Sequence, residues 1–174
     1  MLILGLRRGE LLGLAWDDVD LGETRIAWQV QRVKGHLLGR KTKTTSSDAP
    51  LPLPEICVSA LEQRRVVEAK WRLAVGEAWA GTGLVMTTRL GDALDPRNFH
   101  RYINARAQTA GVPVISVHPT RRTCASLLVA LDVHPRVAMA NLRHSKIAVT
   151  TDIYSQVLST STRDALRRLG EVFQ

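Results

Sequence analysis

Cysteine is nearly missing from this chain: there are two in 174 residues, Cys57 and Cys124, and both fall in stretches whose apolar spacing is helical. Two such thiols make no disulfide framework, and they read as reduced, buried groups in a cytoplasmic protein. Long apolar runs are missing too. The nearest is the opening Met1-Leu2-Ile3-Leu4-Gly5-Leu6, which is too short for a signal-peptide core and meets Arg7-Arg8 at once. Neither secretion nor membrane spanning is therefore expected. Acidic residues are outnumbered, 16 against 24 lysines and arginines, for a formal net charge of +8 and a pI near 10.3. Such an excess favours a polyanionic partner, nucleic acid first and an anionic membrane second.

What is present is enough for a folded domain. Apolar residues make up 45% of the chain, which excludes disorder, and the length suits a single domain with a real core. Glu10, Leu11, Leu12, Leu14 and Trp16 predict a short helix ending near Asp17-Asp18, with Gly5 and Gly9 allowing tight backbone at its start. Residues 24–53 change period: Thr24, Ile26, Trp28, Val30 and Val33 favour short antiparallel strands. The basic run Arg40-Lys41-Thr42-Lys43 and the polar residues after it read as the loop at the tip of that ribbon. A helix follows over residues 55–79, with Cys57, Ala60, Leu61, Val67, Trp71, Ala74 and Val75 inward. Another spans residues 96–110, with Phe99, Tyr102, Ile103 and Ala107 inward. Its outward Arg97, Arg101 and Arg106 are available to phosphates, although such arginines are more often plain solubilising charge. The C-terminal residues Ala165, Leu166, Leu169, Val172 and Phe173 give a last apolar stripe, which can close its own core or dock on a second copy. The expected class is α+β, mainly helical, with a small antiparallel β-sheet.

Chemistry concentrates between His118 and Tyr154. His118 and Arg121 are three apart, a spacing that sets both on one face of a helical turn whose first turn tolerates Pro119 and whose stripe continues through Ala125, Leu128 and Leu131. His144-Ser145 then begins a helix carrying Ile147, Thr151, Tyr154 and Leu158 on one face. Each piece alone has an ordinary reading: a solvated histidine at a turn, a tyrosine packed at the edge of a core. His118 with His144 as metal ligands is disfavoured, because no third ligand lies at a familiar spacing.

Taken together, these motifs resemble the catalytic domain of the tyrosine recombinases, the phage-integrase family. His118-Pro119-Thr120-Arg121 matches its H-x-x-R, Leu142-Arg143-His144-Ser145 its L-G-H-[ST] turn, and Tyr154 its nucleophile about ten residues on. Gly5-Leu6-Arg7-Arg8-Gly9-Glu10-Leu11-Leu12, running to Trp16-Asp17-Asp18-Val19-Asp20, matches the segment of the first catalytic arginine and singles out Arg7 rather than Arg8. The family's catalytic lysine lies in a β-hairpin followed by an I-P-L-P strand. Counting back from Pro50-Leu51-Pro52 gives Lys41, with Lys43 as competitor. The pattern departs at Arg143, where glycine is usual; backbone needing a positive φ there would cost a non-glycine residue about 1 kcal/mol. Arg122 stands where histidine is common.

The resemblance implies a tyrosine-recombinase catalytic core over residues 1–174, a single domain lacking its first helix and the N-terminal core-binding domain. It implies site-specific recombination or integration of double-stranded DNA through a covalent 3′-phosphotyrosine. Arg7, Lys41, His118, Arg121, His144 and Tyr154 would be catalytic, and Lys43, Arg97, Arg101, Arg122 and Lys146 would contact DNA. No cofactor or metal is called for, no membrane is expected, and a dimer or tetramer on DNA in the bacterial cytoplasm or nucleoid is. Two other readings stay open: a DNA-binding remnant without turnover, and relaxation of single strands in the manner of a type IB topoisomerase.

Overall fold

The computed structural model describes residues 3–20, 22–42, 50–114 and 117–143, with the single positions Tyr154 and Glu171; of residues 117–119 it describes the backbone. Helix α1 (Arg8–Leu12) is short because Gly13 caps it after five residues, and a 3-10 turn at Trp16–Asp18 takes up the rest of the stretch expected to be one helix. Two two-stranded antiparallel ladders follow. Strand β1 (Glu23–Thr24) pairs with β4 (Leu51–Pro52), and β2 (Trp28–Val33) pairs with β3 (His36–Lys41). The β2–β3 turn is Lys34-Gly35, with φ of 47° and 89°. Two positive φ values in a two-residue turn match the twist of the strands on either side. The ribbon's tip is therefore there, and Arg40 and Lys41, expected in the tip loop, belong to strand β3. Lys43 lies outside the described residues.

Three further elements are long enough to carry a face. Helix α2 (Glu55–Val75) buries no residue fully. It rests through half-buried Cys57 and Leu61 on a core of Leu4, Leu6, Leu14, Ile26, Leu51 and Val85, whereas Val67, expected inward, is exposed. Its inner face is partly polar: Arg64 donates to the Val85 carbonyl at 2.7 Å and to Thr87 Oγ1 at 2.8 Å, and Glu68 accepts from Trp16 Nε1 at 2.9 Å. Helix α3 (Pro96–Thr109) begins with Asp95 capping the Arg97 amide at 2.7 Å and Pro96 at the first helical position. Phe99 joins Leu12 and Val30 in a second core cluster, but Tyr102 faces outward and accepts from Arg106 Nε at 3.0 Å.

Helix α4 (Val117–Ala130) carries Arg121, and α5 (Pro135–Leu142) follows after the turn at Asp132. Cys124, Ala125 and Leu142 join the two, while Leu131, expected on the same stripe, falls in the turn and is exposed. Cys57 and Cys124 are both free thiols, Cys124 buried and Cys57 half-buried. Gly5 fits this core for two reasons. Its φ of +57° lies in the left-handed region, and a Cβ there would stand 2.5 Å from Leu142 Cδ2.

Candidate active site

The N-terminus of α1 supplies the first guanidinium. Arg7 sits in extended backbone just before the helix, and the Glu10 carboxylate, three residues on, turns back to accept from its amide N–H at 2.8 Å and its guanidinium at 2.6 Å. This satisfies one of the donors every helix start leaves open. It also aims a buried carboxylate at a side chain that remains 48% exposed. Glu10 accepts a second guanidinium from the far end of the chain, Arg143 Nη2, at 2.6 Å. Burial pushes the Glu10 carboxyl up, but the Arg143 charge and the bonds from Arg7 outweigh it and hold it below its ordinary value.

Arg121 enters the same neighbourhood from α4. Its Nη1 donates to the Gly5 carbonyl at 2.6 Å and its Nη2 to the Leu142 carbonyl, so one side chain joins the turn before Arg7 to the end of α5. Desolvation, followed by the like charges of Arg7 and Arg143 and partly offset by Glu10, pulls its pKa down to about 10. It stays cationic at neutral pH. Arg7, Arg121 and Arg143 thus share one carboxylate, and the cluster is short of negative charge. That is the electrostatic condition for binding an anion.

Arg143 caps α5 with φ 51° and ψ 44°, the left-handed conformation in which a glycine would be easier. Its Nε and Nη1 are buried without a hydrogen-bond partner among the described residues. The other expected groups that are described lie on separate elements. Lys41 ends β3 opposite Trp28 and places Nζ 5.9 Å from the centre of that ring. Arg122 and Arg101 are exposed on α4 and α3. The His118 backbone lies in α4, one turn before Arg121, and its side chain lies outside the described residues, as do His144 and Lys146.

Tyr154 is buried against Val129 and Ala138, with Leu128 and Val133 beside it, and its hydroxyl donates to the Val133 carbonyl. Desolvation, then the Asp132 charge, raises its pKa above the ordinary tyrosine value. Arg121 and Val129 are eight residues apart on α4, so the tyrosine's seat lies about 12 Å along the helix axis from the guanidinium cluster. The structure brings Arg7 and Arg121 together; the Tyr154 hydroxyl is engaged elsewhere.

A cleft of about 690 Å³ opens from Arg7 between α1, the β2–β3 ribbon and the start of α3. Its lining includes Arg8, Arg32, Lys34 and Arg97 as well as Arg7. Of these, sequence reasoning had named Arg7 and Arg97. The missed signal is that Arg32 near the end of β2 and Lys34 in the Lys34-Gly35 turn bring ribbon cations next to the Arg7 loop. Asp95, which bonds Arg32, neutralises part of this charge. Among the described residues no three His, Cys, Asp or Glu side chains form a metal-sized cluster, and no helix is long and apolar enough to cross a membrane.

Residues 1–160 match the model of the phage integrase family. A XerC-like tyrosine recombinase of Caldanaerobacter subterraneus subsp. tengcongensis is 30% identical over an alignment covering 97% of this chain and 47% of that protein. An integrase of Streptomyces ambofaciens is 31% identical over 88% of this chain and 42% of its own length. The chain thus spans about half the length of these relatives. Among solved structures, the Tn1549 transposon integrase in complex with circular intermediate DNA superposes with a TM-score of 0.74 at 20% identity, covering 97% of this chain and 57% of that one. XerA recombinase gives a TM-score of 0.65 at 24% identity, covering 96% and 54%. These likenesses establish the fold as that of a tyrosine-recombinase catalytic domain.

Proposed function

The chain belongs to the phage integrase family, and from that premise we propose that it is a catalytic domain that cuts and rejoins double-stranded DNA at specific sites through a 3′-phosphotyrosine on Tyr154. The observation that carries this reading is the meeting of Arg7 and Arg121, 114 positions apart in sequence, beside one carboxylate, with Arg7 also lining a basic cleft. Two guanidiniums fork onto the non-bridging oxygens of a phosphodiester with a geometry a lysine does not reproduce. They oppose the charge that builds in the transition state, and a positioned arginine in phosphoryl transfer is worth a factor of about 10³ to 10⁵. The cleft's cations would track the flanking phosphates, fixing register rather than reading sequence.

In the reaction, the Tyr154 oxygen forms a bond to phosphorus as the bond to the 5′ oxygen breaks, and the 5′ hydroxyl later reverses the step with no external energy source. His118 would assist removal of the phenol proton, His144 would add a donor to the phosphate, and Lys41, or Lys43 in its place, would protonate the departing 5′ oxygen. Arg97, Arg101, Arg122 and Lys146 would hold the duplex, and two or four copies would act on it together, inside the bacterial cell. To attack, Tyr154 has to leave the Val133 carbonyl and travel along α4 toward Arg121, so the described arrangement corresponds to a resting state. A nicked suicide duplex tests the proposal: the wild-type protein is expected to become covalently attached to the 3′ end, and Tyr154→Phe is not. Equal attachment by both proteins would overturn it.

A further inference from the structure

The position before His144 is the most unusual in the described chain. Arg143 adopts left-handed backbone with φ 51°, which a β-carbon disfavours, and is 3% exposed. Two of its three guanidinium nitrogens, Nε and Nη1, are buried without a partner among the described residues. A residue chosen for stability alone would avoid both features, since glycine removes the backbone strain and leaves no dry donors. Only one described contact gives the side chain a purpose: Nη2 on Glu10 Oε2 at 2.6 Å, with both side chains 2% exposed.

Glu10 holds two guanidiniums that differ in one respect. Arg7 is 48% exposed, at the mouth of the cleft, and Arg143 is buried. An arriving phosphate can draw off only the exposed one. We propose that Arg143 is a positioning residue that keeps the Glu10 carboxylate neutralised from within, so that Arg7 can exchange Glu10 for the scissile phosphate. Without it, Glu10 would be a buried anion whose one remaining directly bonded cation among the described residues is Arg7, with Arg121 acting only through its field. Releasing Arg7 would then leave a carboxylate uncompensated out of water, a costly state. That carboxylate would also repel the incoming phosphate. Arg143, which adjoins His144, is also tied by this ion pair to the helix start that carries Arg7, adding to the Arg121 bonds that join the same two parts.

This inference rests on the recombinase reading for its substrate, and the test separates the two. Arg143→Gly, Arg143→Lys and Arg143→Gly with Glu10→Gln are compared with wild type for covalent attachment to a suicide duplex, for thermal unfolding, and for the rate at which phenylglyoxal modifies Arg7, read by peptide mass spectrometry. Arg143→Gly is expected to fold, because it relieves the backbone. It is expected to attach at least about tenfold more slowly than wild type, with the double variant regaining much of the loss because the trapping charge is gone. Arg143→Lys, which keeps a cation on Glu10, is expected to lie between. Arg7 should react more slowly with phenylglyoxal in Arg143→Gly alone. The inference is overturned if Arg143→Gly attaches as fast as wild type, if the double variant is no faster than Arg143→Gly, or if Arg7 reactivity is the same in every variant. Failure of the wild type itself to attach would sink the recombinase reading, while Arg7 reactivity would still decide the role of Arg143.

Discussion

The guanidinium cluster around Glu10 and the seat of Tyr154 lie toward opposite ends of helix α4, and different forces hold them. The cluster is set by charge and by backbone carbonyls: Arg121 on Gly5 and Leu142, and Arg7 and Arg143 on Glu10. The tyrosine is set by apolar packing against Val129 and Ala138 and one neutral hydrogen bond to Val133. Directional bonds to several partners resist displacement; a single phenol in a small apolar seat can leave at modest cost. In the proposed reaction the buried Arg121 and Arg143 would stay put, the exposed Arg7 would change partner, and Tyr154 would be delivered.

The comparison can be broken at its weaker end first. Tyr154→Phe is expected to lower covalent attachment to DNA by more than about a thousandfold, since the nucleophilic oxygen is gone. Its stability should fall by only about 1 kcal/mol, the worth of one neutral hydrogen bond. At the other end, Arg121→Lys keeps the charge but loses the fork. Single-turnover cleavage should fall by about 10³- to 10⁵-fold, and unfolding should come earlier because Gly5 or Leu142 loses its donor. If Arg121→Lys unfolds as wild type does, the cluster is not the rigid partner.

Acid sharpens the contrast. The Glu10 carboxyl lies below its ordinary value in the folded state, so its ion pairs stabilise the fold fully above the unfolded carboxylate pKa of about 4.3, and that contribution disappears as pH falls through the depressed folded value. Urea midpoints measured from pH 7 down to pH 3 should therefore fall less steeply for Glu10→Gln than for wild type, by on the order of 1–3 kcal/mol. The Tyr154 seat carries no carboxylate bond and should not contribute to that difference. The smallest effect belongs to the cleft. Arg32→Ala and Lys34→Ala should each weaken duplex binding a few-fold at every sequence tested and reduce the slope of log K against log salt by about 1.

Much of this arrangement was legible in the sequence because its motifs are local. The segment around Arg7, the H-x-x-R on α4 and the strand-favouring stretch before Pro50 each announce themselves within a dozen residues, and Arg143, standing in a glycine's place, raised the question of a positive φ that the backbone answers at 51°. What was not legible depends on distant partners. Glu10 reads as an ordinary acid in the first turn of a helix, and nothing near it points to Arg143, 133 positions away. Helix α5 is only eight residues long, marked by Pro135 after a capping His134, and is too short to show a period. Tyr102 and Leu131 fit the helical spacing yet lie in water, because the period gives a face and not what covers it. The tip of the ribbon was misplaced because a lysine and glycine at Lys34-Gly35 are a quieter turn signal than the polar run that follows Arg40.

Gly9 lies inside α1 and Gly13 caps it, both against β2: a β-carbon would stand 3.0 Å from the Val30 carbonyl oxygen at Gly9 and 2.7 Å from Gln29 Cα at Gly13. At these two positions the ribbon consequently comes against helix backbone, beside the packing of Val30 on Leu12. Substitutions along its outward positions can then accumulate without repacking the seat beneath, so the ribbon's outer face can drift while its footing on α1 is kept.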